Sequence, residues 1–275
     1  MTWWQALILG LIEGITEYLP VSSTGHLVVA QQLLGIGVAG EEAKMAADAF
    51  AICIQAGAIL AVLGIYRARV WQMCLGLAGK DKDGLRLLCF LVIAFIPAAI
   101  IGLTLDSWIK TQLFGMLPIV IAWFIGGLYL LAFKKKLERK TLENEPDMMQ
   151  QLTWKKCLSI GLFQCVAVCP GVSRSLMTIS SGLFLGLTMG AALEFSFLLG
   201  VVTLGAATVK DAFFQGQLML DTYGWTPIIV GMLASWGSAV IAVKWLLSFL
   251  KRRGLGVFGW YRIILALVIG VYLFI

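Results

Sequence analysis

Glu13 and Glu17 stand four residues apart in an apolar stretch, and Pro20 follows them. On a helix that spacing puts both carboxylates on one face, and Pro20 should end the helix just beyond them. Such a pair can hold a divalent cation or take a proton, or do no more than accept from backbone groups freed at the break. The run Ser22-Ser23-Thr24-Gly25-His26 then places hydroxyls where a new helix needs its N-cap, and the free N–H groups of a helix start favour an anion. Ser23 and His26, the chain's one histidine, are three apart, a spacing that lets a nucleophile meet its proton acceptor.

A second interrupted stretch, Pro170-Gly171-Val172-Ser173-Arg174-Ser175, repeats the device. Gly171 permits close backbone approach, Ser173 and Ser175 offer hydroxyls, and Arg174 is a permanent cation whose fork suits phosphate oxygens. Thr178 lies one turn further on the same face. Arg174 can instead pair with Glu13 or Glu17, and the two roles are compatible. Two helix starts, an arginine and a comb of hydroxyls describe a phosphate or diphosphate site on a lipid.

The elements that must position these groups are membrane helices. Of 275 residues 60 % are apolar and 13 % charged, and the mean hydropathy is +0.92, far from a soluble domain. The net charge of +6 is explained by topology signals, so no nucleic-acid partner is expected. The six cysteines include no Cys-x-x-Cys and behave as small hydrophobes. Met1 to Leu11 carries no Lys or Arg, and Glu13 and Glu17 follow it, which argues against a cleaved signal peptide.

Apolar runs of helical length at about 49 to 66, 87 to 105, 115 to 133, 193 to 209, 226 to 249 and 257 to 275 predict six spans. The two broken stretches, about 3 to 38 and 157 to 190, read as re-entrant helix pairs. Connections 67 to 86, 134 to 156 and 244 to 262 hold seventeen of the 21 basic residues, Arg262 among them, and are predicted cytoplasmic. Alternation then closes only if the first hairpin enters from outside and the second from inside, which leaves both termini, including Ile275, external. A shift of 151 residues pairs Gly10-Leu11-Ile12-Glu13 with Gly161-Leu162-Phe163-Gln164, and Val21-Ser22-Ser23-Thr24 with Val172-Ser173-Arg174-Ser175. The predicted fold is an all-α polytopic membrane protein: one membrane domain, 1–275, with six transmembrane helices and two re-entrant hairpins. It forms an inverted repeat, about 1–145 and 146–275, with the site at the midplane.

The segments Glu13-Gly14-Ile15-Thr16-Glu17-Tyr18-Leu19-Pro20-Val21-Ser22-Ser23-Thr24-Gly25-His26 and Pro170-Gly171-Val172-Ser173-Arg174-Ser175 resemble the two signature motifs of the bacterial undecaprenyl-diphosphatase family, the bacitracin-resistance phosphatases. The resemblance spans nearly the whole chain. It implies a multi-pass enzyme of the bacterial cell membrane that hydrolyses undecaprenyl diphosphate at a site open to the outer face and recycles the lipid carrier for peptidoglycan. It also implies dependence on a divalent cation, Mg or Ca, with Glu13 and Glu17 as metal ligands. By similarity its catalytic set is Ser23, His26, Glu17 and Arg174, with Ser22, Thr24, Gly171, Ser173, Ser175 and Thr178 lining the same pocket; its partners are the polyprenyl diphosphate and the bilayer, with room for a homodimer.

Two mechanisms follow. Ser23 attacks the terminal phosphorus while His26 takes and returns a proton, or metal-activated water replaces Ser23. A phosphohistidine mechanism wants two histidines, and there is one. The rival from another class is a polyprenyl-phosphate flippase or an anion transporter, since inverted repeats with broken helices are a transporter architecture.

Overall fold

The computed structural model describes residues 1–137 and 146–274; Arg139, Lys140 and Ile275, which entered the topology argument, lie outside the described residues. The described residues are helical, without strands. In chain order the helices are α1 (Trp3–Thr16), α2 (Ser23–Leu33), α3 (Glu41–Ile65), α4 (Arg67–Leu77), α5 (Lys82–Leu113), α6 (Met116–Ala132) and the short α7 (Lys134–Leu137). There follow α8 (Met148–Gln151), α9 (Trp154–Gln164), a 3-10 turn over Cys165–Val168, α10 (Arg174–Phe184), α11 (Met189–Tyr223), α12 (Trp225–Arg253) and α13 (Gly256–Phe274).

Among the described residues five helices are long and apolar enough to cross a membrane: α3, α5 over Lys82–Leu105, α11, α12 over Trp225–Leu250 and α13 over Gly256–Leu273. The expected sixth, α6, is equally apolar but has 17 residues. α12 turns Ile229, Leu233, Trp236 and Ile241 outwards, and α13 does the same with Ile264, Leu267, Val268 and Val271. Exposed apolar faces of that extent are covered by lipid in a multi-pass membrane protein.

Both broken stretches form a helix, a turn and a second helix. α1 starts on a capping box, Thr2 accepting from the Gln5 amide and Gln5 accepting from the Thr2 amide. The shift of 151 found in the sequence also relates boundaries: Trp3 to Trp154, and Ser23–Leu33 to Arg174–Phe184. Ser22 and Ser173, equivalent under that shift, cap α2 and α10, each accepting from the amide three residues on. They are also the two non-glycine residues with positive φ among the described residues, 71° and 83°. Such conformations cost about 1–3 kcal/mol each and persist where surrounding contacts fix them.

α1 packs along α12, α3 between α11 and α12, α9 against α5, and α6 against α13. The largest buried cluster runs from Tyr18 and Val21 of the first break through Leu176, Ile179 and Leu183 of α10 to Phe195 and Phe197 of α11. The break residues therefore belong to the core.

On the side of the basic connections, Arg69 pairs with Glu194 of α11 at 2.7 Å and with Asp147, which also accepts from the Met149 amide at 2.8 Å. Arg262 corrects the topology count. It was placed on a basic connection, but α13 has begun by Gly256, and Arg262 is fully buried against α6. Lys82 and Arg86 lie in the first turns of α5 and Lys244, Arg252 and Arg253 in the last turns of α12, so these basic residues flank the connections.

Candidate active site

Three side chains tie the two breaks together. Ser175 Oγ donates to the Leu19 carbonyl at 2.7 Å. Arg174 Nη2 donates to Glu17 Oε1 at 2.9 Å while its Nη1 donates to the Ser196 carbonyl at 2.8 Å. Arg262 spreads its guanidinium over four carbonyls: Pro20 at 3.3 Å, Gly171 at 2.8 Å, Ala122 at 3.0 Å and Trp123 at 3.4 Å. Trp123 of α6 braces the first break as well, donating from Nε1 to the Val21 carbonyl at 2.9 Å.

The junction walls a cavity of about 190 Å³. Glu17, Ser22, Ser23 and Thr24 line it from the first break, and Gly171, Ser173 and Arg174 from the second. Gln55 of α3, Gln164 of α9 and Thr203 of α11 also line it, beside an apolar wall of Ala167, Val168, Cys169, Pro170 and Leu204. Gly171 has φ 91°, and a Cβ there would press on Ala122 and Ile119, so glycine alone lets the backbone approach so closely. Gly200 leaves the space that the Arg174 guanidinium fills.

Ser23 Oγ donates to Glu17 Oε2 in a short hydrogen bond, so Ser23, Glu17 and Arg174 form one chain from hydroxyl through carboxylate to guanidinium. Such a chain holds the hydroxyl at a proton acceptor and the acceptor at a fixed charge. The expected pairing of Ser23 with His26 is corrected. His26 Nδ1 meets the Ser22 carbonyl at 2.7 Å, one turn back, and Nε2 meets the Tyr261 hydroxyl of α13 at 2.7 Å. Its ring stands beside Trp123, 5.0 Å between centroids, away from the cavity lining. The i, i+3 spacing allowed the contact, and the backbone acceptor of the same turn took it instead.

Ser175 and Thr178, expected in the lining, lie beneath it. Ser175 is committed to Leu19, and Thr178 Oγ1 to the Arg174 carbonyl at 2.9 Å and to Ser196 Oγ at 2.6 Å. Both hold α10 in place. Glu13 also sits behind the lining, one turn before Glu17, fully buried, with neither carboxylate oxygen hydrogen-bonded. Among the described residues no group of three or more His, Cys, Asp or Glu gathers as a metal site. Glu17 is in the cavity lining and Glu13 is the buried carboxylate one turn behind it.

Sequence reasoning missed Gln55, Gln164, Thr203, Tyr261 and Arg262. For Arg262 the signal was present, since an ionisable residue inside an apolar run is a functional candidate. For Gln164 it was the pairing with Glu13 under the shift of 151. The others gain their roles from contacts between distant segments.

A family model described as bacitracin resistance protein BacA matches residues 6–268. An undecaprenyl-diphosphatase of Sorangium cellulosum is 41 % identical over 270 residues, 98 % of this chain and 86 % of the relative. Undecaprenyl-diphosphatase 2 of Rhodospirillum rubrum is 43 % identical over 265 residues, 96 % of this chain and 93 % of the relative. An undecaprenyl-diphosphatase of Ectopseudomonas mendocina is 43 % identical over 266 residues, covering 96 % and 92 %.

Proposed function

The chain belongs to the bacitracin resistance protein BacA family, and on that premise we propose that it is a membrane phosphatase. It hydrolyses undecaprenyl diphosphate to undecaprenyl phosphate and orthophosphate, returns the carrier lipid to cell-wall synthesis and confers bacitracin resistance. The observation that carries this reading is the chain Ser23–Glu17–Arg174 in a cavity walled by both breaks.

In the proposed reaction Ser23 Oγ attacks the terminal phosphorus and its proton passes to Glu17 Oε2, the atom it already faces. The bond from that phosphorus to the bridging oxygen breaks, and undecaprenyl phosphate leaves. Water then attacks the phosphoserine phosphorus, the Oγ–P bond breaks as Glu17 returns its proton to Ser23, and the hydrogens of the water leave on orthophosphate. Arg174 and the free amides at the starts of α2 and α10 neutralise charge on the phosphoryl oxygens, the larger share of the acceleration. His26, held by Ser22 and Tyr261, sets the first turn of α2 and thereby the direction of Ser23.

Glu13 and Glu17 fit a divalent cation of the Mg or Ca type. Glu17 is paired with the Arg174 guanidinium, and the oxygens of Glu13, one turn earlier, are buried without partners. Magnesium sites commonly take one or two carboxylates and draw other ligands from substrate phosphates and water. A bound cation would supply further charge neutralisation to the diphosphate.

In this reading α6 is a sixth crossing, its 17 residues lying at the lower limit of about 17–25 for a span. The two helix–turn–helix units are the re-entrant hairpins of an inverted repeat divided near residue 145. The matching helix boundaries and the twin strained caps support that division. The basic residues in and beside the three connections support a cytoplasmic side for those connections, and so a cavity open to the outer face of the bacterial cell membrane.

Purified protein in detergent, where there are no two sides to transport between, should release orthophosphate from undecaprenyl diphosphate. Saturable binding without release would leave the flippase or anion-transporter reading in its place.

A further inference from the structure

Gln164 ends α9 at the cavity wall, opposite the motif residues, and its residue surface is 2 % exposed. Its Oε1 lies 3.5 Å from Thr203 Oγ1, whose hydroxyl also donates to the Leu199 carbonyl at 2.9 Å. Its Nε2 has no hydrogen-bond partner. A buried amide donor without an acceptor is costly, and buried polar groups of folded proteins are nearly always paired. Turning the amide over would satisfy Nε2 on Thr203 and orphan Oε1 instead, so one polar atom is spare in either orientation.

On the phosphatase reading the ligand of this cavity is a diphosphate, which near neutral pH brings chiefly acceptors. Its phosphoryl oxygens complement a spare N–H. The shift of 151 explains why an amide suits this wall. Gln164 occupies the place that Glu13 holds in the first unit. A second buried carboxylate there would repel an anionic ligand, whereas the isosteric carboxamide attracts it without adding charge.

Resting on the phosphatase reading for the identity of the ligand, we propose that Gln164 is a substrate-binding residue. Its carboxamide donates to a phosphoryl oxygen of the diphosphate, with Thr203 fixing the amide's direction. The first unit thus supplies the hydroxyl and carboxylates, and the second supplies one cation, Arg174, and one neutral donor, Gln164.

The test uses the full-length protein in detergent, titrated with inorganic pyrophosphate, with phosphate release from undecaprenyl diphosphate and the melting temperature read in parallel. Gln164→Met keeps length and removes the donors; Gln164→Glu keeps shape and reverses the polarity. Met should weaken pyrophosphate binding and kcat/KM by about tenfold, the size of a hydrogen bond to a charged oxygen, and Glu by more, chiefly through KM. Melting temperatures should stay close to wild type. Pyrophosphate affinity within about twofold of wild type in either folded variant overturns the proposal, as does a wild type that binds no pyrophosphate. A wild type that binds pyrophosphate and loses that binding on Gln164→Met, yet releases no phosphate, would keep Gln164 in its role and remove the phosphatase reading alone.

Discussion

The carbonyls of Pro20 and Gly171, 151 residues apart in sequence, converge on one guanidinium, that of Arg262, at 3.3 and 2.8 Å. Each carbonyl sits at the break of its own unit, where the helical ladder has been given up and an acceptor is left over. One planar fork with five donors satisfies both and also reaches Ala122 and Trp123 of α6.

Arg262→Lys should therefore fail despite keeping the charge, because an ammonium cannot span carbonyls on three segments. Activity is expected to drop at least about tenfold with the protein still inserted, since hydrogen bonds to a charged group contribute about 1.5–3 kcal/mol each. Turnover within about twofold of wild type would show that the two breaks hold together without it.

Arg174→Lys tests the second arginine by the same logic. Nη1 and Nη2 serve Ser196 and Glu17 at once, and a lysine can serve one of them. Loss of about 10²-fold or more in kcat/KM is expected. Gly200→Ala should reproduce part of that loss from outside the chemistry, because its Cβ would overlap the guanidinium. An alanine variant with normal kcat/KM would mean that Arg174 tolerates displacement, and its fixed position would lose its significance.

The breaks were legible because proline, paired hydroxyls and ionisable residues interrupt apolar runs in two places, and the shift of 151 tied those places together. What escaped depends on contacts between distant segments. Arg262 read as a surface charge because a count of basic residues cannot tell a connection from the first turns of α13. His26 read as the partner of Ser23 because spacing fixes which side chains can meet, whereas the nearest acceptors, the Ser22 carbonyl and the Tyr261 hydroxyl, decide which do. Ser175 and Thr178 lie on the expected helix and face its packing rather than its cavity.

Asp147 offers a pH test on the side of the basic connections. Burial works against its ionisation, but the Met149 amide and the Arg69 guanidinium outweigh it and hold the carboxyl below its ordinary value of 3.8. A depressed folded value means stability that is complete above the unfolded value and lost as pH falls through the folded one. With 46 % of the Asp147 side chain exposed, the contribution should be at most about 1 kcal/mol. Between about pH 5 and about pH 3 the melting temperature of wild type should fall further than that of Asp147→Asn, by roughly 2–4 °C. Parallel profiles for the two proteins would show that the pair contributes nothing.

The hydrogen bond from Ser23 to Glu17 makes the decisive comparison one between Glu17 and His26. If Glu17 takes the serine proton, Ser23→Ala and Glu17→Gln disable the same step, and each should cost about 10²- to 10⁴-fold in kcat. The double variant should be no worse than the poorer single one, because residues that act as a unit are not additive. Glu17→Gln keeps the size of the side chain and can still accept from Arg174, so its loss reports the missing base rather than a collapsed cavity. His26→Ala removes the brace between α2 and α13 and leaves Ser23 facing Glu17, so it should cost less. Melting temperature would separate that looser helix start from a chemical defect. If His26→Ala proves as inactive as Ser23→Ala while Glu17→Gln keeps a tenth or more of wild-type kcat, the histidine is the base and must swing from Tyr261 to reach it. If Ser23→Ala itself keeps a tenth or more, water is the nucleophile, and Glu13 and Glu17 become the groups that direct it.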